Sequence, residues 1–194
     1  MTSNPGMTCD SAKSPPKVLL RKTLLGLRRG LAAQTRARWD SAIGAHIVAW
    51  WRSNPVPALG VYWPLQGEPD LTAAYAQLAA LGVRLALPVV QKKDAPLVFS
   101  AWRPGEAMCK DGMGVAVPAK LRIEATPPAI LVPCLGFNPQ RFRLGYGGGF
   151  YDRTLAGLPR PATLGVAYAC LAAPFASDAH DIALDTIITE NGVS

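Results

Sequence analysis

Short apolar runs alternate with helical segments through the middle of the sequence, and this alternation restricts the fold more than any other feature. Residues 58–63 (ALGVYW) have the length and apolar content of a buried parallel strand. An alanine-rich helix is predicted at residues 70–81, and Gly82 stands where a C-terminal cap is expected. Because parallel strands need helical crossovers that cover the sheet, the pattern predicts an α/β domain with three layers, α/β/α, around a mostly parallel sheet.

The same periodicities predict the remaining elements. Helices are expected at residues 17–33, at residues 35–52 with Thr35 as the N-cap, and at residues 150–158. Strands are expected at residues 83–90, 97–102, 129–132, 163–168 and 186–189. Residues 1–16 show no such pattern and are predicted to be a flexible N-terminal tail, which leaves residues 17–194 as a single domain.

The chain is basic, with a formal net charge of +7, which favours anionic partners such as nucleotides, polyanionic metabolites or nucleic acid. The first predicted helix places its cations on faces away from the apolar stripe: Lys17, Arg21, Lys22, Arg28 and Arg29. A nucleic-acid-binding module would need aromatic residues interleaved with such cations, or a recognisable RNA motif, and the sequence has neither. We therefore expect no nucleic-acid partner.

The cysteines and the hydropathy pattern bear on location. Cys9, Cys109, Cys134 and Cys170 are scattered, without the CxxC pairs or histidine spacing of a zinc site. Scattered reduced thiols are typical of a cytosolic protein. No apolar run reaches the roughly 18 residues of a membrane span, and residues 1–16 lack the apolar core of a signal peptide. We expect a cytoplasmic protein without a membrane partner.

A glycine-rich segment lies between a predicted strand and a predicted helix: residues 137–155 read FNPQRFRLGYGGGFYDRTL. Its glycines can turn backbone amides toward one point and approach phosphate oxygens closely. Arg143 adds a cationic fork for phosphate, and Asp152 offers the hard oxygen that magnesium prefers. The spacing matches neither the dinucleotide fingerprint GxGxxG nor the P-loop ending in GK[ST]. On spacing alone, an anion site and a plain tight turn both remain open.

The segment RLGYGGGFYDRTL also resembles the signature of the 5-formyltetrahydrofolate cyclo-ligase family, whose members are also called methenyltetrahydrofolate synthetases. Further blocks match in order: KVLLR at residues 17–21, YWPLQGEPDL at 62–71, the region around Trp102, the turn at 114–118, VPCLGFN at 132–138 and DIALDTIITE at 181–190. The resemblance thus covers most of the chain after residue 16. It implies a single domain with a sheet similar to that of sugar-phosphate isomerases and CoA transferases.

The resemblance implies an enzyme that uses ATP and Mg²⁺ to convert 5-formyltetrahydrofolate into 5,10-methenyltetrahydrofolate, ADP and phosphate. In such enzymes the formyl oxygen attacks the γ-phosphate, and N10 of the folate then closes the ring. Phosphoryl transfer depends on positioning and charge neutralisation more than on a protein nucleophile, which suits the residues present. The alternative is a catalytically idle relative that only binds nucleotide and folate. In either case we expect a monomer.

The resemblance also implies roles for particular residues. Arg143 and Tyr151 are the implied catalytic residues, and Asp152 and Asp185 the implied magnesium ligands. The implied ATP contacts are Lys17, Val18, Leu19, Leu20, Arg21, Arg143, Leu144, Gly145, Tyr146, Gly147, Gly148, Gly149, Phe150 and Tyr151. The implied substrate contacts are Trp63, Glu68, Tyr146, Gly147, Gly148, Gly149 and Phe150. Trp102 can be either a wall of the site or part of the core.

Three positions depart from the family pattern. Pro69 follows Glu68 where relatives usually have valine, and it fixes φ and removes an amide donor. Arg141 stands where relatives commonly have glycine, and Gly148 where many have lysine. If that lysine neutralises phosphate in the relatives, this chain must rely on its other cations or on magnesium.

Overall fold

The computed structural model describes residues 16–194. The flexible tail predicted at residues 1–16 therefore lies outside the described residues, apart from Pro16. The helices are α1 (Lys17–Gly30), α2 (Ala33–Ser53), α3 (Thr72–Ala80) and α4 (Phe150–Leu155). The strands of the first half are β1 (Ala58–Gly60), β2 (Arg84–Val89), β3 (Val98–Trp102), β4 (Met108–Lys110), β5 (Ala116–Pro118) and β6 (Ile123–Glu124). Those of the second half are β7 (Ala129–Pro133), β8 (Gly136–Phe137), β9 (Arg143–Leu144), β10 (Ala162–Val166), β11 (Thr186–Thr189) and β12 (Gly192–Val193).

One eight-stranded sheet organises the domain, in the order β12-β11-β10-β7-β1-β2-β3-β6. Strands β11, β10, β7, β1 and β2 run parallel to one another, while β12, β3 and β6 pair antiparallel at the two sides. The predicted α/β fold with a mostly parallel sheet is confirmed. Strand β3 is antiparallel because residues 90–97 connect it to β2, and a parallel return needs a crossover of about a dozen residues or more.

The sheet separates two apolar clusters. Leu59 and Leu131 face the cluster that α1, α2 and α3 cover, whereas Ile130 and Val132 face the opposite cluster, which includes Leu155 of α4. The alternation of side chains along β7 therefore supplies both clusters from one strand. Helices lie on both faces of the sheet, which gives the three layers that the sequence predicts. None of the helices in the described part of the chain combines the length and apolar content needed to cross a membrane.

Several local predictions can be compared with the structure. Gly82 follows α3 in the left-handed region at φ +89°, and the next amide donates to Leu78 O, so the predicted cap is confirmed. The predicted N-cap at Thr35 is wrong, since α2 already begins at Ala33 and has no side-chain cap. The polar-face position predicted for Arg28 is also wrong, because this side chain is fully buried.

The strand order changes direction at β1. The chain passes from β1 through α3 to β2 on one side, and later returns to place β7 on the other side of β1. At such a switch point the connections at the carboxyl ends of the two central strands diverge, which opens a crevice above the sheet. The fold therefore places a ligand crevice beyond Gly60 and Pro133.

Candidate active site

A cleft of about 1070 Å³ opens at this switch point. Its volume is slightly above the usual range of small-molecule sites, roughly 300–1,000 Å³. The walls come from the first turns of α1, the segments after β1 and β7, the glycine loop with α4, the tip of the β4–β5 hairpin, and residues 178–182. Among the lining residues are Lys17, Arg21, Trp63, Glu68, Asp111, Met113, Arg143, Leu144, Gly145, Tyr146, Gly147, Gly148, Gly149, Phe150, Tyr151, Asp152, Asp178 and Asp181.

Two residues of the glycine loop adopt backbone conformations that favour glycine. Gly147 has φ +97° and Gly149 has φ +63°, both in the left-handed region that side chains with Cβ rarely adopt. Gly149 stands directly before α4. Arg21 Nε donates to Gly145 O across 2.8 Å, so α1 is tied to the loop. The loop therefore turns sharply along one wall of the cleft with its backbone open to the cleft.

Arg143 and Asp152 form a salt bridge at the base of this loop, with Nη2 and Oδ2 2.8 Å apart. The Arg143 side chain is only 7% exposed, and its guanidinium lies 5.4 Å from the centre of the Tyr151 ring. Tyr151 is half-buried and packs against the second apolar cluster. These contacts fix a cationic group beside the glycine loop.

Lys17 adds a further cation to the cleft, beside Arg21 and Arg143. Its ammonium donates to Asp178 Oδ2 and Asp181 Oδ2, both at 2.6 Å. Burial opposes the charge of Lys17, but the two carboxylates outweigh burial and raise the Lys17 pKa. Burial alone would raise the Asp181 pKa, but the hydrogen bonds with Lys17 and Asp178 N–H and the charges of Lys17 and Arg143 together outweigh burial and lower it. Neither aspartate was predicted as a site residue, although DIALDTIITE, which begins at Asp181, belongs to a matching block.

A different set of groups lies at the β1 side of the cleft. Residues 65–68 form a tight turn in which Gln66 and Gly67 both have positive φ. Glu68 closes this turn by accepting from Leu65 N–H with Oε2 at 2.9 Å, and Oε1 accepts from the Tyr146 hydroxyl at 2.8 Å. Burial raises the pKa of Glu68. The carboxyl is thus held by two donors at the edge of the cleft.

Two of the departures from the family pattern are accommodated by local contacts. Pro69 has no amide to donate, but its carbonyl accepts from the buried Tyr62 hydroxyl at 2.9 Å, so the segment after Glu68 is anchored. Arg141 occupies the left-handed region at φ +61°, which is the conformation that favours the glycine of the relatives. Its Nε donates to Leu184 O, a contact that glycine lacks.

Trp63 lies in the wall of the cleft, whereas Trp102 lies in the core. Trp63 is half-buried and lines the cleft, and its ring meets that of Trp102 edge-on, with centres 6.0 Å apart. Trp102 is buried against the first apolar cluster and does not line the cleft. Trp63 therefore offers a ring edge or face to a planar ligand, and Trp102 supports it.

Some predicted site residues lie elsewhere. Asp185 directly precedes β11, hence at the amino edge of the parallel strands, while the cleft is at the carboxyl edge. Its Oδ2 accepts from Thr163 N and Oγ1 at 2.8 and 2.7 Å, and it pairs with Arg160. The prediction that Asp185 joins Asp152 at one site is contradicted by this position. Nor do Val18, Leu19 and Leu20 line the cleft: the first two are exposed on α1 and the third packs in the core.

The oxygen donors in the cleft suit a magnesium ion that accompanies a nucleotide. Mg²⁺ is usually held by one or two carboxylates, waters and substrate phosphates rather than by a full protein cage. Among residues 16–194 no group of three or more Asp, Glu, His or Cys side chains could enclose a metal ion. Asp152 uses Oδ2 for Arg143, and its Oδ1 has no hydrogen bond within this part of the chain. The residues therefore fit a nucleotide-associated ion better than a resident metal.

Arg28 is the functional candidate that the sequence interpretation missed. Its Nη2 donates to the Tyr146 hydroxyl, the same hydroxyl that bonds Glu68. The signal was present, because Arg28 follows Arg21 by two helical turns and so lies on the same stripe of α1 as Lys17 and Arg21. Lys22 and Arg29 do not share that stripe, and both are exposed.

Comparison with known proteins identifies the family of the chain. The model of the 5-formyltetrahydrofolate cyclo-ligase family matches residues 13–190. A 5-formyltetrahydrofolate cyclo-ligase of Escherichia coli K12 is 31% identical over 84% of this chain and 87% of its own length. A solved 5,10-methenyltetrahydrofolate synthetase from Mycoplasma pneumoniae has a TM-score of 0.77 and 26% identity, with 91% of this chain and 99% of that chain covered. The corresponding synthetase from Aquifex aeolicus has a TM-score of 0.79 and 26% identity, with 91% of each chain covered. The chain belongs to the 5-formyltetrahydrofolate cyclo-ligase family.

Proposed function

We propose that this enzyme uses ATP and Mg²⁺ to convert 5-formyltetrahydrofolate into 5,10-methenyltetrahydrofolate, ADP and phosphate. The observation that carries the proposal is the division of one cleft into two chemically different ends. Cations and a glycine loop lie toward α1 and α4, and a buried carboxyl with an aromatic wall lies after β1. Membership of the cyclo-ligase family supports the same reaction.

The proposed phosphate end consists of Arg143, Arg21 and Lys17 with the amides of the glycine loop. Arg143 is held by Asp152, and Arg21 by Gly145 O, so two guanidinium groups are already oriented before a ligand arrives. Fixed cations of this kind stabilise the charge on a transferring phosphoryl group without reorganising during the reaction. Gly148 carries no charge, unlike the lysine that the family pattern often has there. The positive charge at the phosphate end comes instead from these three side chains.

The proposed folate end consists of Glu68 and Trp63. The pterin ring presents N–H donors along one edge, and an ionised carboxylate accepts from two adjacent donors at once. Trp63 offers an aromatic surface for the pterin or benzoyl ring. Tyr146, at 43% exposure, lies between the folate end and the glycine loop and can contact either substrate.

The proposed reaction has two steps. The formyl oxygen attacks the γ-phosphorus and the bond to the bridging oxygen of ADP breaks, so the formyl carbon acquires a phosphate leaving group. N10 then attacks that carbon, the C–O bond breaks to release phosphate, and the N10 proton is lost, which leaves the methenyl bridge. The residues of the cleft align the two substrates and balance charge, and no protein nucleophile is required.

Asp152 is the residue that we propose to hold Mg²⁺. A magnesium ion there supplies positive charge beside the phosphate oxygens of ATP. Asp185 is not included, since it lies at the opposite edge of the sheet. A monomeric state and a cytoplasmic location stay predictions from the sequence.

The test is a spectrophotometric assay of the purified protein with 5-formyltetrahydrofolate. We expect near-ultraviolet absorbance of the methenyl product only when ATP and Mg²⁺ are both present, and none after chelation with EDTA. Arg143→Met serves as the inactive control, and its product rate should fall by about a hundredfold or more. Folded wild-type protein that binds ATP and 5-formyltetrahydrofolate without forming product would instead identify an idle relative.

A further inference from the structure

Arg28 is a fully buried cation on α1. It does not line the cleft, but it hydrogen-bonds to Tyr146, which does. Its Nε donates to Gln66 O at 3.2 Å, and its Nη2 donates to the Tyr146 hydroxyl. Its Nη1 is buried without a hydrogen-bond partner among the described residues. Burying a guanidinium that is not fully paired is unfavourable for folding, so a purely structural side chain at this position would be better apolar.

The contacts of Tyr146 define the direction of its hydroxyl proton. A guanidinium has only N–H donors, so the Tyr146 oxygen must accept from Arg28. The hydroxyl proton is therefore free to point toward Glu68 Oε1, which lies 2.8 Å away. The guanidinium also lies 5.6 Å from the centre of the Tyr146 ring. Arg28 thus fixes both the position of the ring and the orientation of the bond to Glu68.

Arg28 is the charged side chain that bears on the pKa of Glu68. Burial raises the Glu68 pKa, whereas the bonds from Leu65 N–H and Tyr146 and the charge of Arg28 lower it. Arg36, from α2, lies against Gly67 in the same turn. The remaining titratable groups that interact with Glu68 are phenols and a thiol whose pKa values burial raises, so they are neutral at neutral pH: Tyr62, Tyr75, Tyr146, Tyr151 and Cys134.

We propose that Arg28 is a positioning residue for folate binding: through the Tyr146 hydroxyl it orients the Glu68 carboxyl that accepts from the pterin. This inference rests on the proposed function, because it takes Glu68 as the pterin acceptor. Arg28 acts without contacting the ligand itself. Its place on the stripe that carries Lys17 and Arg21 means that one helix serves both ends of the cleft.

The test compares Arg28→Met with Lys22→Met as a matched control, since Lys22 is exposed and its loss removes one positive charge from the same helix, whereas Arg29 hydrogen-bonds to Gln66 in the turn that Glu68 closes. Binding of 5-formyltetrahydrofolate without ATP is measured by calorimetry between pH 5 and 9. We expect Arg28→Met to weaken the folate Kd at pH 7 by about tenfold, with an ATP Kd within about twofold of wild type. Without the Arg28 charge the Glu68 pKa rises, so the loss of binding at low pH should begin at a higher pH. An unchanged pH profile and a Kd equal to that of Lys22→Met would overturn the assignment.

A second experiment covers the case in which Arg28→Met does not fold. Arg28→Lys retains the charge but not the forked geometry, and Tyr146→Phe removes only the hydroxyl that links it to Glu68. If Arg28 acts through Tyr146, the double variant should bind folate about as weakly as the weaker single variant. Losses that multiply in the double variant would show independent effects and would contradict the proposal.

These measurements separate the two hypotheses because binding needs no turnover. Wild-type protein that binds folate with the expected Arg28 dependence but forms no methenyl product would contradict the proposed function alone. Active wild-type protein whose folate binding is insensitive to Arg28 would contradict the positioning role alone. Wild-type protein that does not bind 5-formyltetrahydrofolate would overturn both.

Discussion

Arg143 and Asp152 are joined by a salt bridge that spans the two ends of the glycine loop, with Nη2 and Oδ2 2.8 Å apart. Arg143 lies on β9 and Asp152 in the first turn of α4, so the pair closes the base of the loop. The residue proposed to meet phosphate and the residue proposed to hold magnesium therefore position each other. A change in one will alter the geometry of the other as well as its charge.

Asp152→Asn tests the proposed metal role. The substitution removes a carboxylate charge, and we expect the Mg²⁺ concentration for half-maximal rate to rise by about tenfold or more. It also leaves the Arg143 guanidinium without its anionic partner, so the thermal midpoint should be recorded together with the kinetics.

Asp185→Asn is the matched control for that experiment. Because Asp185 accepts from Thr163 at the amino edge of the sheet, its loss should lower stability and leave the Mg²⁺ dependence unchanged. Mg²⁺ titrations that shift equally in both variants would mean that neither carboxylate is a specific ligand.

Glu68→Gln tests the folate end of the cleft. The substituted amide keeps the shape of the side chain but replaces one acceptor with a donor, so it can no longer accept from two pterin donors. We expect the KM for folate to rise by about tenfold and the KM for ATP to change by less than about twofold. Steady-state kinetics with each substrate varied in turn give the comparison. Equal increases in both KM values would mean that Glu68 organises the whole site.

The buried carboxyl of Glu68 also predicts a dependence of stability on pH. Its pKa is raised in the folded protein by burial, so between the ordinary value of 4.5 and the raised value the folded state binds more protons than the unfolded state. The free energy of unfolding that is due to this group therefore falls as pH rises through that window. Urea unfolding of wild type and Glu68→Gln from pH 4 upward measures it: wild type should lose stability relative to the variant, and the difference should then become constant.

Two glycines of similar sequence context should respond in opposite directions to alanine. A Cβ at Gly136 would clash with Leu24 Cδ1 and lie 3.1 Å from Leu171 O, so Gly136→Ala should lower the free energy of unfolding by about 1–3 kcal/mol. Gly26 lies within α1 with nothing within 4 Å of its Cβ position, and Gly26→Ala should raise the free energy of unfolding by about 0.5–1 kcal/mol. Chemical denaturation of both variants checks the pair, and equal effects would contradict the packing at Gly136.

The parallel part of the fold was predictable because its strands are short, apolar and bounded by clear stop signals. Residues 186–189 (TIIT) form β11 within the predicted bounds, and Gly82 ends α3 as expected. The antiparallel pairing of β3 was not predictable from its own residues, since Val98–Trp102 has the same apolar character as a parallel strand. The hairpin β4–β5 was missed because its strands are short and lack alternation.

The sequence predicted the location of a candidate site residue well where that residue belongs to a specific sequence block, and less well elsewhere. The glycine loop, Lys17, Arg21 and Glu68 do meet at one cleft. Asp185 was assigned to the site by the resemblance, although its position directly before the predicted parallel strand at 186–189 already places it at the opposite edge of the sheet from residues that follow a strand. Arg28 was assigned to a polar face because buried arginines are rare, and only its contacts with Tyr146 and Gln66 reveal why it is buried.

Helix α1 carries Lys17 at one end and Arg28 near the other, and about 16 Å of rigid helix axis separates them. The helix therefore fixes the distance between the proposed phosphate end and the proposed folate end of the cleft. If both substrates bind as proposed, any shift of α1 that improves the fit to one moves the groups that receive the other. The affinities for ATP and folate should then depend on each other by the same factor in both directions.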